Sequence, residues 1–175
     1  MAQKDNVILI GMPGAGKSTL GVVLAKMIRY DFIDADLLIQ NQCDRSLQRI
    51  IDACGPDGFI DVENEILSEI QATKSVIATG GSAVYSDEAI AHLKEIGTIV
   101  YLQVTFEEMA RRLGDLEQRG VVMKNGATLD LRKLYDERLP LYESYAEVTV
   151  DVNDLGIEEA AIKVAETLGF QPQQD

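Results

Sequence analysis

Histidine and tryptophan are almost missing from this chain, which holds one histidine, His92, and no tryptophan. A mechanism built on paired imidazoles is thereby excluded. His92 itself falls in "SDEAIAHLKEIG", where helical periodicity predicts an exposed place on a surface helix. Cysteine is scarce as well. Cys43 and Cys54 are too few for a disulfide framework and lack the spacing of zinc ligands, so ordinary reduced thiols are expected. No apolar run approaches the roughly 20 residues that a membrane-spanning helix needs. The opening "MAQKDN" leads into a run too short for a signal peptide, so the expectation is a cytoplasmic protein with no membrane partner. Positive charge is the last shortage: 16 Lys and Arg stand against 29 Asp and Glu, for a net charge of −13. Nucleic-acid binding rests on clustered cations, so no nucleic-acid partner is expected, whereas a small anionic ligand remains compatible.

What is present suits one domain of residues 1–170, with a short disordered tail expected at 171–175 and a monomer as the expected state. Apolar β-type runs recur as "NVILIG", "YDFIDA", "SVIAT", "GTIVYLQV" and "EVTVDV", and stretches of helical periodicity lie between them. Thr105 and Glu108 in "TFEEMARRL" have the spacing of a capping box. A last helix is predicted from about Ile157 to Leu168, with Gly169 as its stop. Strands alternating with helices imply an open, mainly parallel α/β sheet whose ligands bind at the carboxyl ends of the strands.

Directly after the first strand comes "GMPGAGKST", residues 11–19, which satisfies G-x-x-x-x-G-K-[ST] through Gly11, Gly16, Lys17 and Ser18. Glycines let backbone N–H groups turn inward around phosphate oxygens. Lysine reaches the β- and γ-phosphates, and the serine hydroxyl ligates Mg²⁺. Candidate nucleotide contacts are therefore Gly11, Gly14, Ala15, Gly16, Lys17, Ser18 and Thr19, with a nucleoside triphosphate and Mg²⁺ as the expected cofactors. A guanine-reading "NKxD" segment is absent, and the length fits a small phosphotransferase better than a motor ATPase.

"FIDAD" places Asp34 and Asp36 at the end of the second strand. Such a pair can divide labour, one carboxylate holding the hydration shell of Mg²⁺ and the other accepting an acceptor's hydroxyl proton. Equally, either aspartate can simply cap the next helix. Leu131, Leu134, Tyr135 and Arg138 follow i, i+3, i+4, i+7 spacing, so Arg138 continues an apolar stripe. There it either meets an anion with its forked guanidinium or packs its stem inward with its head in solvent. "TGG" after the third strand reads as an acceptor contact or as a tight turn, and Arg112 and Arg119 read as phosphate or nucleotide ligands or as surface charge.

Taken together, "GMPGAGKSTLG", "FIDAD", "GF-DVE", "VIATGGSAV", "EQRGVV" and "ERLPLY-SYAEVTV" occur in an order and spacing that resemble the shikimate kinase family over nearly the whole chain. The resemblance implies a P-loop NTPase fold like that of nucleoside-monophosphate kinases, three layers α/β/α around a five-stranded parallel sheet. It also implies an acceptor-binding helical subdomain at about 35–70 and a mobile lid at about 114–127. The implied function is transfer of the γ-phosphate of ATP to a hydroxyl of a small metabolite, shikimate first, as a step of aromatic amino acid biosynthesis.

By the same resemblance Asp34 bears on Mg²⁺ through water and Asp36 is the candidate base. Gly80 and Gly81 offer backbone N–H groups, Arg138 pairs with a carboxylate, Arg112 lies against adenine and Arg119 is the lid arginine. The catalytic set is then Lys17, Asp36 and Arg119. The acceptor set is Asp36, Gly80, Gly81, Arg138, Ile60 and Glu63, and the metal set is Ser18 and Asp34.

The chain departs from the family pattern at "GFIDVE", where Ile60 stands in place of an arginine that clamps the acceptor's carboxylate. That removes a charge-assisted contact worth roughly 1.5–3 kcal/mol, and a buried Glu63 loses a partner. Ser82 replaces a common third glycine, and "RGVVM" replaces a stiffer Arg-Pro-Leu-Leu. Two other readings therefore stand beside the first. One is a related kinase for a different small hydroxyl acceptor, and the other is a catalytically reduced ATP-binding regulatory protein.

Overall fold

A computed structural model describes residues 4–114 and 130–171 of the chain. All five apolar runs form strands: β1 Asn6–Ile10, β2 Asp31–Asp34, β3 Ser75–Ala78, β4 Gly97–Gln103 and β5 Val148–Asp151. They make one parallel sheet in the order β2-β3-β1-β4-β5. The three central strands are almost continuously apolar because both of their faces are covered, while β2 and β5 at the edges are more exposed and β5 alternates. Seven α-helices stand among the described residues: α1 Lys17–Ile28, α2 Ala35–Cys43, α3 Leu47–Ser68, α4 Asp87–Ile96, α5 Phe106–Arg112, α6 Leu131–Tyr145 and α7 Ile157–Thr167.

From β1 the chain crosses to β2 on one side, returns through β3, and then continues to β4 and β5 on the other. The reversal lies at β1, so the loop that follows β1 opens at the crevice where such sheets bind ligands. A main core fills both faces of the sheet. A second, smaller cluster of Ile39, Ile50, Phe59 and Ile66 is shared by α2 and α3. Helix α3 breaks at Gly55, whose φ of 73° and following Pro56 divide it into two segments.

Two local expectations need correction. Thr105 caps α5 by accepting from Glu108 N–H at 3.2 Å, but the Glu108 carboxylate does not close the box; it turns to Arg111 and Arg112 instead. His92 is half-buried rather than exposed, with Nε2 at 2.7 Å from the Ile70 carbonyl oxygen. Helix α7 is as expected, running Ile157–Thr167 with Leu168 as its cap and Gly169 just beyond it at φ +82°. The expected lid beyond Gly114, with Arg119 in it, and the tail beyond residue 171 lie outside the described residues.

Candidate active site

The loop from Gly11 to Gly16 joins β1 to α1, and Gly16 caps the helix in the left-handed region at φ 92°. Gly14 has φ 81°, so the two positions need glycine for the backbone to turn. Lys17 Nζ folds back over the loop and donates to the carbonyls of Gly11 at 2.8 Å and Met12 at 2.9 Å. Burial pulls the Lys17 pKa down to about 8, and the negative charge of Asp36 opposes this. Ser18 and Thr19 are exposed in the first turn of α1. Lys17, Ser18 and Thr19 face a cavity of about 370 Å³ together with Pro13, Gly14 and Gly16.

The opposite wall of that cavity comes from four other elements. Asp36 enters from α2, Leu47 and Phe59 from α3, Thr79 to Ser82 from the end of β3, and Arg138 from α6. Asp34 takes the helix-capping role: its Oδ1 accepts from Asp36 N–H at 3.0 Å and Leu37 N–H at 3.3 Å. Asp36 is left facing the cavity, and its pKa is raised by burial and by the charge of Asp34, with Lys17 opposing.

Gly80 and Gly81 are explained by space rather than by backbone angle. A Cβ at Gly80 would stand 2.7 Å from Glu63 Oε2 and 3.1 Å from Asp36 Oδ1. One at Gly81 would meet Arg138 Nη1 at 2.6 Å. Any side chain there would fill that wall of the cavity.

Arg138 is 1% exposed, so its head is not in solvent near Pro140. Two tyrosines hold it. Its Nε donates to Tyr85 Oη at 3.2 Å, its guanidinium lies 5.3 Å from the centre of the Tyr85 ring, and Tyr142 is a further hydrogen-bond partner. Tyr142 in turn donates to the Gly81 carbonyl at 2.7 Å, which locks the arginine to the glycine pair.

Behind Gly80 lies Glu63, fully buried. Its Oε1 accepts from Ser82 Oγ at 2.7 Å, while Oε2 has no hydrogen-bond partner among the described residues. Burial raises its pKa to about 7, against the Ser82 hydrogen bond. Ile60 is half-buried and is not part of the cavity wall; its neighbour Phe59 takes that place.

A second cavity of about 240 Å³ adjoins the other side of the loop, between Gly14 to Gly16 and the start of α7. Arg112 lines it and is fixed along its edge. Nε meets Glu108 Oε1 at 2.6 Å, Nη1 meets the carbonyls of Gly14 at 3.4 Å and Ala15 at 3.3 Å, and Nη2 meets that of Val152 at 3.1 Å. Arg111 and Arg112 together hold the Glu108 carboxyl well below its usual range, at about 2.

The structure thus brings Lys17, Ser18, Asp36, Gly80, Gly81 and Arg138 around one cavity. Ala15 and Arg112 stand at the second cavity, Gly11 lies beneath the lysine, Glu63 stands behind Gly80, and Asp34 and Ile60 do not line the first cavity. Sequence reasoning missed Phe59, Tyr85 and Tyr142. For Tyr142 a signal existed, since it lies one turn beyond Arg138 on the same helical stripe.

A phosphate loop flanked by two cavities, one of about 370 Å³ that it shares with Asp36 and Arg138 and one of about 240 Å³ beside Arg112, has the layout of a small-molecule kinase. Comparison with known proteins gives it a family: the model of shikimate kinase matches residues 13–169. The chain belongs to the shikimate kinase family. It is 37% identical over 167 residues to a shikimate kinase of Francisella tularensis subsp. holarctica, covering 94% of this chain and 95% of that one. A shikimate kinase of Clostridium botulinum is 38% identical over 162 residues, covering 91% and 94%. Among solved structures, shikimate kinase from Acinetobacter baumannii in complex with shikimate superposes with a TM-score of 0.85 at 29% identity, covering 95% and 93% of the two chains. As a shikimate kinase family member the chain is an ATP-dependent kinase, with ATP as its phosphate donor. Its five-stranded parallel sheet is the family's P-loop α/β/α fold. No helix among the described residues is long and apolar enough to cross a membrane.

Proposed function

We propose that this chain transfers the γ-phosphoryl group of ATP, with Mg²⁺, to a hydroxyl of shikimate, giving 3-phosphoshikimate and ADP. The observation that carries the reading is the buried Arg138, held by two tyrosines on the wall across from Lys17 in the same cavity as Asp36 and the glycine pair. An internal guanidinium fixed in this way suits a carboxylate, and Asp36 beside it suits a hydroxyl.

Hard oxygen donors at Ser18 and Asp34, and no cluster of three or more metal-ligating side chains among the described residues, fit Mg²⁺ held mainly by phosphate and water. When bound, the ion neutralises charge on the β- and γ-phosphates. The chain's own residues do the rest. The loop N–H groups and Lys17 hold the phosphates, and the Gly80 and Gly81 N–H groups and Arg138 orient the acceptor. Asp36 takes the hydroxyl proton, and Arg119 meets the transferring group. The edge-bound guanidinium of Arg112 leaves its face for stacking on adenine.

This reading includes a cytoplasmic monomer with an acceptor subdomain at 35–70 and a lid at 114–127, checked by fractionation, by sedimentation and by protease protection on nucleotide addition. An ADP-release assay over shikimate and a panel of other hydroxy acids and polyols tests the reaction. Shikimate-dependent turnover is expected, lost in Lys17→Ala. Turnover with another hydroxyl compound and none with shikimate would favour the second reading, for which the presence of Ile60 is the specific support.

A further inference from the structure

Glu63 is a sealed carboxyl group with one oxygen satisfied and the other not. The free oxygen, Oε2, and Asp36 Oδ1 close on the same point, the empty Cβ position of Gly80 on the cavity wall. An unpaired buried carboxylate costs several kcal/mol unless a cation stands against it. On its own helix the position one turn earlier is Ile60, which supplies none. The charged and titratable groups that face it from other elements are Asp36 of α2, Lys17 of α1, and Arg138 and Tyr142 of α6, and Ser82 touches it from the turn after β3.

The count of charge then matters. With Glu63 ionised, two carboxylates balance the two cations Lys17 and Arg138, and the cavity has no surplus for an anionic acceptor arriving beside a polyphosphate. With Glu63 neutral, one positive charge is left over.

Resting on the functional reading above, we propose that Glu63 is a specificity-determining residue of the acceptor subsite that works as the neutral acid. An anionic acceptor is bound together with a proton on Glu63, and this proton makes up for the cation that position 60 lacks. The proton comes from solvent and no bond of the acceptor changes. In the free protein the carboxyl group sits close to half-ionised near neutrality, because burial lifts its pKa to about 7. An anion nearby raises it further, so binding above that pH draws in a proton.

The test is calorimetry of shikimate binding to the full chain at pH 8 in two buffers of different ionisation enthalpy, with shikimate and Mg-ATP KM measured from pH 6 to 9. Wild type is expected to take up close to one proton per shikimate. Its shikimate KM should rise by up to about tenfold per pH unit above 7, without a parallel rise in the Mg-ATP KM between pH 7 and 8. Glu63→Gln should bind shikimate with no proton uptake and a flat KM. Shikimate binding to wild type without proton uptake, or uptake that survives in Glu63→Gln, overturns the proposal while leaving the shikimate reading intact. A purely structural role for Glu63 predicts that flat wild-type profile. If Glu63→Gln does not fold, an infrared difference spectrum of wild type decides instead: shikimate must increase the protonated-carboxyl band, and no increase overturns the proposal. Failure of wild type at pH 6 to bind or phosphorylate shikimate overturns the functional reading, and this inference with it.

Discussion

Ile60 and Glu63 lie one helical turn apart on α3, the first aliphatic and half-buried, the second acidic and sealed. Restoring an arginine at position 60 would give Glu63 an ion-pair partner and the acceptor pocket a second cation. Ile60→Arg is expected to lower the KM for shikimate by about ten- to a hundredfold, the equivalent of a charge-assisted contact. Steady-state kinetics check it, and an unchanged KM would mean that position 60 does not reach the acceptor. The same carboxyl group has a stability signature. Its folded-state pKa of about 7 lies above the ordinary 4.5, so the folded protein binds more protons than the unfolded chain between those values. Its contribution is therefore fully present below pH 4.5 and is lost as pH rises through 7. Glu63→Gln lacks this loss. Denaturant titrations should show the variant gaining on wild type from pH 5 to pH 8, by on the order of 2–3 kcal/mol.

At the scale of elements, the cavity wall proposed to hold the acceptor depends on two glycines in the turn that follows β3. Gly81→Ala would push a methyl group against Arg138 Nη1, Pro13 Cδ and the Tyr142 hydroxyl, which already binds the carbonyl of residue 81. Shikimate KM is expected to rise at least about tenfold, on the scale of one lost charge-assisted contact. The Mg-ATP KM should stay within a factor of about two, since no phosphate-loop glycine moves. Equal losses for both substrates would instead mean that the loop itself had been displaced.

These elements also show how far the sequence could be read. The five strands announced themselves as apolar runs, and the phosphate loop as a motif whose residues are neighbours in the chain. Arg138 was visible because helical spacing tied it to Leu134 and Tyr135. The locks that decide its orientation were not, since Tyr85 is 53 residues away and meets it only through the fold. Glu108 was misread for a local reason. Its spacing to Thr105 is that of a capping box, yet two arginines within one turn compete for the carboxylate and win it. The double role of "FIDAD" was resolvable only in space, where Asp34 caps α2 and Asp36 turns to the cavity.

For the whole molecule, folding and nucleotide binding meet at Lys17. The fold keeps this ammonium 8% exposed, against two carbonyls, and burial draws its pKa from 10.5 to about 8. Between those values the unfolded chain holds the proton and the folded one releases it, so this group's contribution to stability grows as pH rises from 8 to 10.5. A triphosphate reverses the bias, because anionic oxygens beside Nζ favour the charged form. Binding above pH 8 must then take up a proton, and ATP affinity should fall by up to about tenfold per pH unit there. At neutral pH no such cost applies. Mg-ATP at a hundred times its Kd should add about 2.7 kcal/mol, a rise of roughly 5–10 °C in the unfolding midpoint for a chain of this size. Lys17→Met should unfold at a midpoint indifferent to Mg-ATP and to pH between 8 and 10 as far as this group is concerned. Scanning calorimetry of both proteins at pH 7 and pH 9, with and without Mg-ATP, separates the two effects. A nucleotide-induced rise in the variant equal to that of wild type would show that the loop N–H groups hold the triphosphate without the lysine.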